Sequence, residues 1–251
     1  MSLGTIFLSE FIGTMILIVL GVGVVATNLL VKSKGRGTGW LMVNFGWGLA
    51  VYAGVYFAWS TGGHLNPAVT IGMLVGGQEQ YASGVEITFA TTMVYICAQL
   101  LGAILGAIVA WLAFRDHYDA HENQAEILGT FATGPEIRNP IWNCVTETIA
   151  TFVLVAWVLI SGYTQNVAVG PLAVALIIVS IGASLGGPTG YAINPARDLG
   201  PRIAHAILPI KGKGGSDWGY AWVPIVGPII GAIIAGLLFG PGTLHLLAPI
   251  M

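Results

Sequence analysis

Long apolar stretches dominate the chain, and each is about as long as a bilayer is thick. Short polar connections separate six such runs, near residues 5–27, 40–58, 84–112, 141–162, 167–185 and 220–240. A bilayer has a hydrocarbon core about 30 Å thick, which a helix of about 20 residues crosses. The pattern therefore predicts six transmembrane helices.

Two further apolar segments are too short to span a membrane. They run from Pro67 to about Gly76 and from Pro195 to about Ile207. A helix of about ten residues is only about 15 Å long. Each segment begins with Asn-Pro, in which Asn is a favoured N-cap and Pro suits the first helical turn. We predict two half-helices, whose approaches must be buried in protein or line a wet cavity.

The two halves of the chain repeat one another. "LSEFIGTMILIVLG" matches "VTETIATFVLVAWV", "LLGAILGAIVA" matches "IVGPIIGAIIA", and the two Asn-Pro-Ala tripeptides lie 128 residues apart. We predict a single domain over 1–251, with a first repeat at about 1–125 and a second at about 140–251. Each repeat has three spans, an odd number, so the second is inverted. The positive ends of both half-helices then meet near the midplane.

Composition agrees with a membrane protein. The chain is 55% hydrophobic and 8% charged, with a mean hydropathy of +0.82. A net charge of −2 is too small to suggest nucleic acid as a partner. Cys97 and Cys144 lie inside apolar runs, so no metal or cofactor is expected. The first residues lack the basic region and cleavage site of a signal peptide, so the first run is expected to remain a span.

Three motifs carry a resemblance that covers nearly the whole chain: "SEFIGT", "GGHLNPAVTIG" and "GYAINPARDLGPR". The sequence resembles the major intrinsic protein family of aquaporins and glycerol facilitators. The resemblance implies an all-α membrane protein with an aquaporin-like, right-handed bundle of six transmembrane helices and two re-entrant half-helices. It also implies a homotetramer in the cell membrane, with one pore per subunit for water or small uncharged solutes.

The resemblance also assigns roles to residues. The Asn side chains of the two Asn-Pro-Ala motifs would donate hydrogen bonds to the passing solute. These motifs are Asn66, Pro67 and Ala68, and Asn194, Pro195 and Ala196. The constriction of the pore would consist of Trp47, Gly182, Tyr191 and Arg197. Gly46 is the alternative to Trp47.

Asp198 directly follows the constriction Arg and resembles a marker of the glycerol-conducting branch, in particular of bacterial glycerol facilitators. Water-selective members tend to have His where this chain has Gly182, and a Gly would leave room for a carbon backbone. The Tyr191 hydroxyl would exchange hydrogen bonds with a solute. We therefore predict a channel for glycerol, water and other small neutral solutes. A water-selective pore and a channel for protonated lactic acid remain alternatives.

The intramembrane polar residues have expected roles as well. Glu10 and Glu147 are expected to accept hydrogen bonds from the backbone that leads into each half-helix, and His64 is expected to be structural. A buried Arg is functional by default in a membrane segment. Arg197 and the two helix ends would repel cations and protons.

Two rival classes and one conflict remain. A coupled transporter also has inverted repeats and broken helices, but it needs a coupling site, and the sequence offers no spare intramembrane acids beyond Glu10 and Glu147. An intramembrane enzyme would need a nucleophile and base or a metal cluster, and the sequence offers neither, so we do not expect an enzyme. The resemblance places both termini in the cytoplasm and the loops at 28–39, 113–140 and 207–219 outside. Those loops contain three, two and two Lys or Arg residues, whereas the positive-inside rule expects such charges on the cytoplasmic side.

Overall fold

The computed structural model describes residues 1–163 and 170–243. Its ten α-helices within these ranges are α1 Leu3–Leu29, α2 Trp40–Phe57, α3 Pro67–Val75, α4 Phe89–Ala113, α5 Arg115–Ala120, α6 Gln124–Phe131, α7 Pro140–Tyr163, α8 Pro171–Leu185, α9 Pro195–Ile207 and α10 Val223–Phe239. A 3-10 turn covers Trp59–Thr61, and an antiparallel hairpin consists of β1 Gln80–Ala82 and β2 Val85–Glu86.

Five of these helices are long and apolar enough to cross a membrane, namely α1, α2, α4, α7 and α10. The sixth predicted span, 167–185, corresponds to α8, which has 15 residues in the described part of the chain. Residues 167–169 of that prediction lie outside the described residues. The half-helices α3 and α9 match the predicted segments closely.

Two predicted spans begin several residues before the helices do, and one predicted loop contains helices. The third span begins at Phe89 rather than 84, because Gly84 turns the hairpin with a φ of +76° and Thr88 caps α4 by accepting from the Thr91 N–H at 3.1 Å. The last span begins at Val223 rather than 220, since hydrogen-bonded turns precede it. The connection at 113–140 is not a simple loop, because it contains α5 and α6.

Small residues bring the long helices close together. A Cβ atom on Gly106 of α4 would lie 2.5 Å from the carbonyl oxygen of Met15 in α1. In the second half, a Cβ atom on Gly227 of α10 would lie 2.9 Å from the carbonyl oxygen of Cys144 in α7. These glycines therefore allow backbone-to-backbone packing in both halves of the chain. The half-helix α3 packs against α10, and α9 packs against α4, so both enter the interior of the bundle.

Candidate functional site

Each half-helix begins at an Asn that caps it. Asn66 accepts the Ala68 N–H on its Oδ1 at 2.9 Å. Asn194 accepts the N–H groups of Ala196 and Arg197 at 3.0 and 3.2 Å. The extended backbone of each Asn and the Pro that follows are the ordinary chemistry of a helix start. Each Asn amide is therefore oriented with its Nδ2 group away from its own helix.

The two caps also join the half-helices to each other. Asn66 Nδ2 donates to the carbonyl of Ile193 at 2.8 Å, and Asn194 Nδ2 donates to the carbonyl of Leu65 at 2.8 Å. Leu65 and Ile193 have φ angles of +54° and +44°, a region that bulky residues rarely adopt. An Asn amide has two N–H bonds. Each Asn therefore has a second N–H that takes no part in the hydrogen bonds between the two half-helices.

Buried carboxylates bind the backbone just before each Asn. Glu10 accepts the N–H groups of His64 and Leu65 at 3.1 and 2.8 Å. Glu147 accepts the N–H groups of Ala192 and Ile193 at 3.0 and 2.9 Å. Further donors to the two acids are the hydroxyls of Thr61 and Thr189 and the amide of Gln99. The carboxylates thus bond the same residues that adopt the unusual backbone.

His64 is enclosed by aromatic residues. Its Nδ1 lies 3.0 Å from the Thr70 hydroxyl, and its ring packs against Tyr81 and Tyr95 at centroid distances of 5.1 and 4.7 Å. The Tyr95 hydroxyl donates to the carbonyl of Thr61 at 2.6 Å. Tyr81 belongs to the first strand of the hairpin, and the sequence interpretation predicted no hairpin there, because it placed the second strand inside the third span. The sequence interpretation therefore did not predict that Tyr81 packs over the His64 ring.

Two side chains from different elements meet beyond the Asn pair. The guanidinium carbon of Arg197 lies 3.9 Å from the centroid of the Trp47 ring. A cation this close to the face of an indole ring is a favourable arrangement. Gly46, the alternative to Trp47, faces α1 instead, where a Cβ atom would lie 2.7 Å from the Cβ atom of Val24. Trp47 is therefore the residue that contacts Arg197.

Tyr191 lies beside Gly182, and its ring explains why a residue without a side chain is needed at position 182. This explanation differs from the predicted one. A Cβ atom on Gly182 would lie 2.6 Å from Tyr191 Cζ and 2.5 Å from Asn44 Oδ1. The space next to this Gly is thus filled by protein side chains, and the prediction that it accommodates the carbon backbone of a solute was wrong. The Tyr191 hydroxyl is buried in the same place. The expected contact between that hydroxyl and a solute is therefore not present in this geometry.

Trp47, Tyr191 and Arg197 line two cavities, one on each side of them. The wider cavity, about 410 Å³, is also lined by polar residues, among them Asn28 at the end of α1 and Glu136 in the loop before α7. The narrower cavity, about 60 Å³, reaches both capping Asn residues. Its remaining lining is almost entirely aliphatic and includes Leu17, Val51, Val69, Leu154, Val158, Val174 and Ile178. We call the first cavity the vestibule, the second the chamber, and the three shared side chains the neck.

The sequence matches the family described as "Major intrinsic protein" over residues 2–239. The chain belongs to the major intrinsic protein family. It is 50% identical over 232 residues to the "Glycerol uptake facilitator protein" of Streptococcus pneumoniae, covering 92% of this chain and 96% of that protein. It is 48% identical over 237 residues to the "Probable glycerol uptake facilitator protein" of Thermotoga maritima, covering 94% and 98%.

A solved structure agrees with this family. The aquaglyceroporin from Plasmodium falciparum superimposes with a TM-score of 0.82 and 29% sequence identity, covering 99% of this chain and 100% of that one. The predicted fold class, a multi-pass membrane protein with the aquaporin fold, is therefore confirmed. Membership of the major intrinsic protein family also confirms that the chain is not an enzyme.

In this major intrinsic protein, Asp198 faces away from the neck and joins three segments. Its carboxylate accepts the N–H and the hydroxyl of Thr133, both at 2.7 Å. Arg202 donates to the same carboxylate through Nε at 2.8 Å and Nη2 at 3.1 Å. The other N–H groups of Arg202 bind the carbonyls of Thr133, Ser216 and Asp217. Because Thr133 lines the vestibule, this buried ion pair fixes part of its wall.

The sequence interpretation missed Arg202, although a second Arg one turn after Asp198 in a membrane half-helix was an available signal. Further along, Lys213 donates to three carbonyls at the end of α9, those of His205, Ala206 and Leu208, at 2.6 to 2.7 Å. Outside the membrane, two hydrogen bonds from Arg138 to the Asp217 carboxylate raise the pKa of the guanidinium. These bonds attach the long loop after α9 to the vestibule.

Proposed function

We propose that this protein is a passive channel for glycerol and other small uncharged solutes, and that it also conducts water while excluding ions and protons. The observation that carries the proposal is the neck of Trp47, Tyr191 and Arg197, which separates a wide vestibule of mixed polar and apolar lining from a narrow apolar chamber. The names of the relatives, glycerol uptake facilitators and an aquaglyceroporin, favour glycerol over other solutes.

A polyol has hydroxyl groups on one edge and C–H groups on the other, and the neck has two matching sides. The rings of Trp47 and Tyr191 face the carbon atoms, while the Arg197 guanidinium and the second N–H of Asn66 and of Asn194 replace water at the hydroxyls. A solute that cannot place its hydroxyls there leaves polar groups unpaired, at about 1–3 kcal/mol each. Selectivity follows from this cost together with the width of the neck.

Ions meet a barrier in the same place. Arg197 is positively charged, and the N-terminal ends of α3 and α9, each with a positive partial charge, both point at the chamber. The chamber is narrow and lined almost entirely by aliphatic side chains, so an ion that entered it would lose most of its hydration shell without replacement. Cations and protons are therefore repelled, and anions are excluded by the cost of dehydration.

The supporting residues act through the backbone. Glu10 and Glu147 stabilise the unusual conformation of the residue before each Asn, and His64 packs beneath the first half-helix. Asp198 acts on the vestibule wall through Thr133 and Arg202 rather than on the solute. None of these four roles requires a proton to move.

Stopped-flow swelling of proteoliposomes tests the proposal, with glycerol, urea and lactic acid at several pH values and empty liposomes as the reference. We expect glycerol permeability well above that of empty liposomes and independent of pH. Permeability to water alone would instead identify a water-selective pore. Flux of lactic acid only, rising as pH falls, would identify a channel for the protonated acid.

Assembly and orientation are part of the proposal. We propose a homotetramer in a lipid bilayer, with both termini in the cytoplasm. Native mass spectrometry in detergent tests the tetramer, and a predominantly monomeric species would contradict it. A membrane-impermeant amine reagent applied to intact cells should label Lys34 in the first loop. If Lys34 is protected from the reagent, the protein has the opposite orientation in the membrane.

A further inference from the structure

Tyr191 lies in a slot between two helices. We define the slot by its four walls: Trp40 and Asn44 on α2, Gly182 on α8 and Gly186 at the C-cap of α8. A Cβ atom on Gly186 would lie 2.5 Å from Tyr191 Cδ1, so the ring packs directly on this helix. The Trp40 ring meets the Tyr191 ring edge-on at a centroid distance of 5.7 Å. Trp40 is itself fixed by a 3.1 Å hydrogen bond from Nε1 to the carbonyl of Gly182.

The far end of this slot contains polar atoms without partners. Asn44 is fully buried, and within the described residues neither Oδ1 nor Nδ2 has a hydrogen-bond partner. The same is true of the Tyr191 hydroxyl. A Cβ atom built on Gly182 would lie 2.5 Å from Asn44 Oδ1 and 2.9 Å from Tyr191 Oη. Both polar groups therefore adjoin the same small space beside Gly182.

Their chemistry is complementary. An Asn amide offers two N–H donors and a carbonyl acceptor, and a Tyr hydroxyl both donates and accepts. Buried polar groups are almost always hydrogen-bonded, directly or through an ordered water. Leaving both groups unpaired is costly, whereas pairing them satisfies both at once. The slot thus gives each group one obvious partner.

We infer that Asn44 is a positioning residue for selectivity: its amide is the polar neighbour of the Tyr191 hydroxyl in the slot beside Gly182, where the two groups satisfy one another through a small side-chain rotation or one shared water, and so it fixes the aromatic wall of the neck. The ring face of Tyr191 lines the chamber and the vestibule, while its hydroxyl is directed into the slot. Asn44 also precedes Trp47 by three residues on one helix face. The pair therefore sets the gap through which a solute passes, an inference that rests on the proposed function.

The test compares Asn44→Leu, Tyr191→Phe and the double variant in proteoliposomes, with the permeability ratio of glycerol to the four-carbon polyol erythritol as the readout. Each single change leaves one buried polar group alone and loosens the ring. We expect the ratio to fall by about three-fold or more in each, a typical coupling between contacting residues. The double variant, which is apolar on both sides, should recover most of the ratio. Thr151→Val removes another buried, unpaired hydroxyl away from the slot and should leave the ratio unchanged.

Two results would overturn the inference: a ratio in Asn44→Leu equal to that of the unmodified protein, or effects of the two changes that simply multiply in the double variant. If Asn44→Leu fails to insert, Asn44→Ala removes the same amide without adding bulk and takes its place in the cycle. Absence of glycerol permeability in the unmodified protein is a different outcome. It would refute the proposed function itself, before any variant is compared.

Discussion

Gly182→Ala introduces a single methyl group at the neck, and its effect can be worked out from the structure. The new Cβ atom would lie 2.5 Å from Asn44 Oδ1 and 2.6 Å from Tyr191 Cζ, where ordinary contacts are 3.4 to 4 Å. The Tyr191 ring must therefore move by roughly 1 Å. Trp40 and Gly186 enclose the ring on the other sides of the slot, so the open direction is towards the pore.

Overpacking of this kind costs about 1–3 kcal/mol. If the displaced ring adds that much to the barrier for glycerol, permeability falls by about five- to one-hundred-fold. Water, which is smaller, should be affected less. Stopped-flow swelling measures both in the same vesicles. Gly219→Ala is the matched control, since a Cβ atom there meets nothing within 4 Å and Gly219 lines neither the vestibule nor the chamber. Unchanged glycerol permeability in Gly182→Ala would refute the claim that the ring sets the gap.

Three further changes test other parts of the account. Glu147→Gln replaces a carboxylate oxygen that accepts the N–H of Ala192 or Ile193, so it should lower both the melting temperature and the glycerol permeability. The control, Glu86→Gln on the exposed hairpin, should change neither. Equal melting temperatures of the two variants would contradict the proposal that Glu147 supports the backbone before Asn194. Asp198→Asn weakens a buried ion pair, which should destabilise the protein by up to about 3 kcal/mol in thermal unfolding, since Arg202 then lacks its counter-charge. Arg197→Ala removes the positive charge of the neck and should admit protons, measured as collapse of a pH gradient with a fluorescent dye; a gradient as stable as in the unmodified protein would place the barrier elsewhere.

Much of the fold follows from local physics and was therefore predictable. Bilayer thickness sets the length of a span, so hydropathy alone located the long helices. The two Asn-Pro pairs located α3 and α9, because a good cap followed by Pro begins a helix wherever it lies. The early start predicted for the third span shows the limit of this reasoning. An apolar hairpin strand and an apolar helix turn look alike until the φ angle of Gly84 separates them.

Site residues that belong to a sequence motif could be predicted from the sequence. Contacts between residues that are far apart in the sequence could not. Nothing local to Asn44 indicates that it lies against Tyr191, because that contact depends on how α2 and α8 pack. Likewise, Gly182 was interpreted as open space for a solute, although the side chain that fills the space comes from another segment. The partnership of Asp198 with Thr133 arises for the same reason, since the peptide that it binds lies in a different loop.

The central claim is passive conduction of glycerol without protons, and one preparation tests it. Glycerol swelling and proton leak are measured in the same proteoliposomes, with and without an imposed ion gradient and against empty vesicles. The account predicts glycerol flux that rises linearly with concentration, is unaffected by the ion gradient, and is accompanied by no proton leak above that of empty vesicles. Glycerol permeability equal to that of empty vesicles, or flux that follows the ion gradient, would contradict it.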